Sequence, residues 1–116
     1  MKMAHITINT ARLDDSIQFY QTVLGLDVVS DFRKRGGMPI VFLRNASDEV
    51  SIELIENADQ PYSGTGISIG FHVDDVQTVR ERAERDGLHP SPMVSPKPGV
   101  MFFFLEDPNG VKIQLT

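Results

Sequence analysis

Residues 42–54 read FLRNASDEVSIEL, and residues 104–115 read FLEDPNGVKIQL. Both start Phe-Leu, pass through polar turn formers and end Val-x-Ile-x-Leu. Each has the form strand, turn, strand: apolar residues fall at every second position, which is the side-chain period of a half-buried strand. Asp107-Pro108-Asn109-Gly110 carries strong turn chemistry, and residues 45–48 turn at the same place in the first copy. Two copies about 60 residues apart mean an internal duplication, since a solenoid needs at least three repeats.

The duplication extends upstream of both stretches. Residues 4–9 (AHITIN) alternate, with Ile6 and Ile8 on one face and His5, Thr7 and Asn9 on the other. In residues 13–26 (LDDSIQFYQTVLGL), Leu13, Ile17, Tyr20 and Leu24 recur at helical spacing. Asp15 followed by Gln18 suits a capping box, and Gly25 suits the helix stop. Strands are expected over residues 27–33, 39–44 and 50–55, with Arg35-Gly36-Gly37 as the first hairpin tip. Residues 57–66 (NADQPYSGTG) read as a linker. The plan then recurs. Residues 67–72 alternate, and residues 73–88 (VDDVQTVRERAERDGL) repeat the helix, with Asp74 and Gln77 as the box and Gly87 as the stop. The proline-rich residues 89–99 suit an edge strand and loop, with SPKPG a candidate lid over a ligand. Strands over 101–105 and 111–115 finish the chain. The fold expected is α+β: one domain of two β-α-β-β-β modules, about residues 1–56 and 67–116.

Composition narrows the function. The 116 residues carry a net charge of −5, which argues against nucleic acid or anionic membranes as partners. There is no cysteine, hence no disulfide, thiolate zinc site or cysteine nucleophile. The longest apolar run, residues 100–105, is far short of the ~20 residues of a membrane span. A soluble, cytoplasmic protein is expected.

Two helices cannot cover both faces of eight strands, so each sheet keeps one face free. Parity assigns Ile6, Ile8, Ile52, Leu54, Ile67, Ile69, Phe71, Val111, Ile113 and Leu115 to the buried faces. The free faces then receive His5, Thr7 and Asn9; Ser51, Glu53 and Ile55; Ser68, Gly70 and His72; and Lys112, Gln114 and Thr116. His5 and Glu53 stand at the first and last strands of one module, and Ser68 and Gln114 stand at the same places in the other. Thr7, Asn9, Ser68 and His72 are the candidate ligand contacts. The basic tip Arg33-Lys34-Arg35 offers a place for an anionic tail, and Phe42 with residues 102–104 reads as core and subunit contact.

AHITIN, FYQTVLGL, VSIELIE, SIGFHVDD and FFFLEDPNGVKIQL together resemble the vicinal oxygen chelate superfamily, the glyoxalase I, bleomycin-resistance and extradiol-dioxygenase group. The likeness spans essentially the whole chain. It implies paired βαβββ modules in a cupped mixed sheet, a homodimer and a small-molecule ligand. Metal enzymes of the group draw one ligand from the first and one from the fourth strand of each module, commonly His, Glu, His and Glu. Carried over, these positions are His5, Glu53, Ser68 and Gln114. The resemblance thus implies a lyase or isomerase holding one divalent ion (Ni, Zn, Mn or Co) through His5, Glu53 and Gln114, with Glu53 as base and no organic cofactor. The serine and glutamine depart from the pattern and leave open a non-catalytic binder of the bleomycin-resistance kind. A third reading is a regulatory subunit whose free sheet face meets another protein.

Overall fold

The computed structural model describes residues 1–116. The chain forms two compact units, Met1–Ser63 and Gly64–Thr116. Unit one runs β1 (His5–Thr10), α1 (Leu13–Thr22), β2 (Asp27–Asp31), one 3-10 turn (Phe32–Lys34), β3 (Ile40–Arg44) and β4 (Ser51–Glu56). Unit two runs β5 (Ser68–Phe71), α2 (Val76–Arg85), β6 (Val94–Lys97), β7 (Val100–Glu106) and β8 (Lys112–Leu115). The sheet orders are β1-β4-β3-β2 and β5-β8-β7-β6, so the two units share one topology. In each, the first strand lies parallel to the last and the remaining pairs are antiparallel. This α+β architecture is the duplicated βαβββ plan expected from the repeat.

In unit one, α1 lies against β3 and β4. Leu13, Ile17 and Tyr20 are buried as the helical spacing requires, joined by Phe19, whose ring meets Tyr20 edge-on. Val41, Leu43, Ile52 and Leu54 complete this core. In unit two, α2 lies against β7 and buries only Ala83 fully; Phe103, Leu105, Val111, Ile113 and Leu115 form the sheet side of that core.

Several expectations are corrected. Neither capping box forms. α1 begins three residues earlier than an Asp15 cap would allow, with Arg12 as N-cap and no side-chain cap; the Asp15 carboxylate instead takes the Arg12 guanidinium. The Arg12 backbone N–H goes to the Thr10 hydroxyl, itself buried against Ser16. In α2 the cap is Asp75, not Asp74, and its carboxylate accepts from the Thr78 N–H. The strand expected over 27–33 stops at Asp31, because the Asp31 carboxylate captures the Arg33 N–H and turns the chain into the 3-10 turn. Ile67, expected inside, is 63% exposed, since strand pairing begins only at Ser68. Ile6, Ile69 and Phe71 are half-buried. Ser51, expected on the free face, is buried, because β4 is flanked on both edges by β1 and β3.

Gly25 and Gly87 lie just beyond the two helices with φ of +71° and +78°. Only a residue without a Cβ takes that conformation cheaply, and both stops fall where the sequence places them. The chain after β4 stays with unit one. Asn57 N–H donates to the Thr10 carbonyl, Tyr62 N–H to the Asn9 carbonyl, and the Asn57 amide to Asn9 Oδ1.

Candidate functional site

The free face of the unit-one sheet is built by register. Thr7 on β1 pairs with Glu53 on β4, and Glu53 pairs with Phe42 on β3. Partners in register project to the same face, so Thr7, Glu53 and Phe42 form one row across three strands. His5 lies one step back along β1, opposite Ser51. Its Nε2 is 3.5 Å from Glu53 Oε1, longer than an ordinary hydrogen bond. The Thr7 hydroxyl donates to the same Oε1. Glu53 is thereby held at 13% side-chain exposure while His5 remains at 44%. The Phe42 ring meets His5 edge-on at 5.6 Å and Phe32 at 6.0 Å, forming an aromatic wall beside the carboxylate.

Unit two repeats the row with different chemistry. Gly70 on β5 pairs with Gln114 on β8, and Gln114 pairs with Phe104 on β7. Ser68 is one step back on β5, as His5 is on β1. The register therefore equates His5 with Ser68, Thr7 with Gly70, Glu53 with Gln114 and Phe42 with Phe104. The unit-two row carries no charge. A Cβ on Gly70 would meet only Gln114 Oε1, at 3.9 Å, so the strand leaves a small gap in front of the amide. Phe104 packs edge-on to Phe102 and carries the Lys112 ammonium 4.2 Å above its ring.

The other candidates fall as follows. His72 lies exposed just past β5. Asn9 uses its side chain to hold Asn57. The basic tip is not free to take an anion as a cluster. Arg33 is spent on Asp31 and Asp14, at 2.9 and 3.0 Å, and these contacts raise its pKa; its side-chain hydrogen bond holds the Asp31 carboxyl below its ordinary value. Arg35 donates to the Ser30 hydroxyl and stacks on Phe32. Residues 95–99 are the last three residues of β6 and the turn into β7, closed by Ser95 Oγ on the Val100 carbonyl. Only Phe103 of the aromatic run is core; Phe102 and Phe104 face the other way, a correction to their reading as core. The walls Phe42 and Phe104 were passed over as site residues, although the signal was present. Each has the parity opposite to its buried neighbours, and each opens the same Phe-Leu of the repeat.

A separate hollow of about 280 Å³ lies at the start of unit one, lined by Lys2, Met3, Ala4, Arg44, Ser47, Asp48 and Glu49. It combines two cations with two anions and does not include Glu53.

Donor chemistry tests the fit of a divalent ion. Two donors each about 2.1 Å from one ion stand about 3–3.5 Å apart, so the His5–Glu53 separation suits a shared ion. Nowhere do three His, Asp or Glu side chains gather. The residues fit half of a cation site, and any third protein donor is neutral.

Fold and register define a protein of the Glyoxalase/Bleomycin resistance protein/Dioxygenase superfamily, to which the chain belongs through residues 2–115. It is glyoxalase-like and similar to lactoylglutathione lyases. It is 30% identical over 122 residues to the lactoylglutathione lyase of Neisseria meningitidis, covering 98% of this chain and 88% of the relative. It is 31% identical over 129 residues to a probable lactoylglutathione lyase of Synechocystis, covering 99% and 94%. Among solved structures, TnmS3, an antibiotic binding protein from Streptomyces, has the same fold with a TM-score of 0.77 at 18% identity, covering 100% of this chain and 94% of that one. Membership of the superfamily supports a divalent metal and a small-molecule ligand. No helix is long and apolar enough to cross a membrane.

Proposed function

We propose that the protein performs a glyoxalase-type proton transfer on a small carbonyl–thiol adduct, with Glu53 as the base. The observation that supports this reading is the placement of His5 and Glu53 together on the free face of unit one, 3.5 Å apart beside the Phe42 wall. Glu53 takes the proton from the carbon next to a carbonyl. The C–H electron pair moves towards the carbonyl oxygen, the same carboxyl returns the proton to the former carbonyl carbon, and the adduct's hydroxyl proton passes to the former carbonyl oxygen, so the reaction is an isomerisation with no net proton change. His5 and Glu53 would hold the divalent ion: nickel, zinc, manganese or cobalt. When bound, the ion supplies Lewis-acid stabilisation of charge on the substrate oxygens. Phe42 excludes water beside the carboxylate. Ser68, Asn9 and the exposed His72 are proposed substrate contacts, and the working form is proposed to be a homodimer in the cytoplasm.

The test is turnover of a glutathione hemithioacetal by metal-loaded protein, followed in Glu53→Gln and His5→Ala. A missing general base lowers rates by about 100-fold or more. A Glu53→Gln variant as active as the parent would overturn the assignment.

A second reading, a binder without catalysis, is favoured by the uncharged Gly70–Gln114–Phe104 row and the Phe102–Phe104 ring pair beside it. In that case small aromatic ligands raise the melting temperature of the parent and Glu53→Gln equally, and no hemithioacetal is consumed.

A further inference from the structure

The free-face carboxylate of unit one has two oxygens, and the protein treats them differently. Oε1 receives the Thr7 hydroxyl proton and lies 3.5 Å from His5 Nε2. Oε2 has no protein hydrogen bond. The arrangement follows from the parallel register, which places Thr7 directly across from Glu53. A hydroxyl donating to a carboxylate makes a charge-assisted bond, stronger and more directional than a neutral one. By tying the carboxylate to β1 it also holds the Glu53 stem in one rotamer at χ1 and χ2.

The second unit supplies an internal comparison. Where the carboxylate is replaced by Gln114, the residue across from it is Gly70, which can donate nothing from a side chain. The hydroxyl accompanies the charge. From the strands on either side, the groups bearing on Glu53 are His5 and Thr7 on β1 and Phe42 on β3, with the Arg44 cation one step along β3. Of these, only Thr7 hydrogen-bonds the carboxylate.

We infer that Thr7 is a positioning residue for Glu53: it fixes Oε1 beside His5 and so presents Oε2 as the oxygen that meets a substrate proton. The inference rests on the reading of Glu53 as the reacting carboxylate, and it moves Thr7 from a substrate contact to a support of the base. Thr7 is exposed, and valine is a good strand residue, so Thr7→Val removes the hydroxyl without disturbing the sheet.

The experiment compares the parent with Thr7→Val and Thr7→Ser in three measurements. The first is the set of three-bond side-chain couplings of Glu53 by NMR in metal-free protein, which report rotamer averaging without activity or metal. A single rotamer is expected in the parent and in Thr7→Ser, and averaging in Thr7→Val. The second is titration with manganese or nickel ion alone, where loss of a supporting hydrogen bond weakens affinity by about 10–100-fold. The third is steady-state turnover, where kcat falls by about the same factor in Thr7→Val, KM holds, and Thr7→Ser recovers. Unchanged Glu53 couplings in a folded Thr7→Val protein overturn the inference. If the couplings change but Glu53→Gln keeps full activity, the positioning stands and the assignment of Glu53 as base fails.

Discussion

Phe103 and Phe104 are adjacent in the chain, yet one is fully enclosed and the other borders Gln114. Period-two geometry separates them: successive side chains of β7 leave on opposite faces. Phe103→Ala opens a cavity in the unit-two core and costs about 3–5 kcal/mol in urea unfolding. Phe104→Ala removes a half-buried ring and the seat of Lys112, so its stability loss falls well below that of Phe103→Ala, while it weakens binding of any aromatic ligand. At this scale much of the candidate site was legible. The repeat alone singled out His5, Glu53, Ser68 and Gln114, because equivalent positions of a duplication are visible without a structure. The Thr7–Glu53 bond was not legible, since which residue of β1 faces which residue of β4 depends on a register set by the whole crossover between them.

The helix ends show how local and non-local forces divide. Gly87 has φ +78° and open space around it, so Gly87→Ala meets no neighbour and costs about 1 kcal/mol from backbone strain alone; thermal unfolding measures this directly. The Asp75 cap is also a pH-dependent device. The hydrogen bond from the Thr78 N–H holds the Asp75 carboxyl below its ordinary value of 3.8. A group depressed in the folded state contributes stability above its unfolded pKa and loses that contribution as pH falls through the folded pKa. Asp75→Ala therefore lowers the melting temperature at pH 7, and the gap from the parent narrows steadily below pH 3.8. Melting curves at pH 7 and pH 3 check both halves of the expectation. Sequence spacing found both helices and both glycine stops but missed both caps. Asp74 and Asp75 are adjacent and either could cap α2, while α1 starts at Arg12 ahead of both Asp14 and Asp15, so the spacing of acidic residues does not fix where either helix begins.

At the scale of the molecule, duplication sets the plan and divergence sets the chemistry. Each unit has the same strand order, yet the equivalent free-face positions carry histidine, threonine and glutamate in one and serine, glycine and glutamine in the other. Equilibrium sedimentation is expected to give twice the mass of one chain, as the homodimer reading requires; a monomer across the micromolar range removes it. The sequence by itself determined the repeat, the alternation of the strands, the glycine stops and the loss of charge at Ser68 and Gln114. All of these are short-range or identity statements, set by side-chain period and backbone sterics. Only the tertiary structure decided that Arg33 is spent on Asp14, that Ser51 is buried, and that Thr7 holds Glu53. Those contacts join residues far apart in the chain. Their geometry comes from strand pairing and helix docking, which no local pattern encodes.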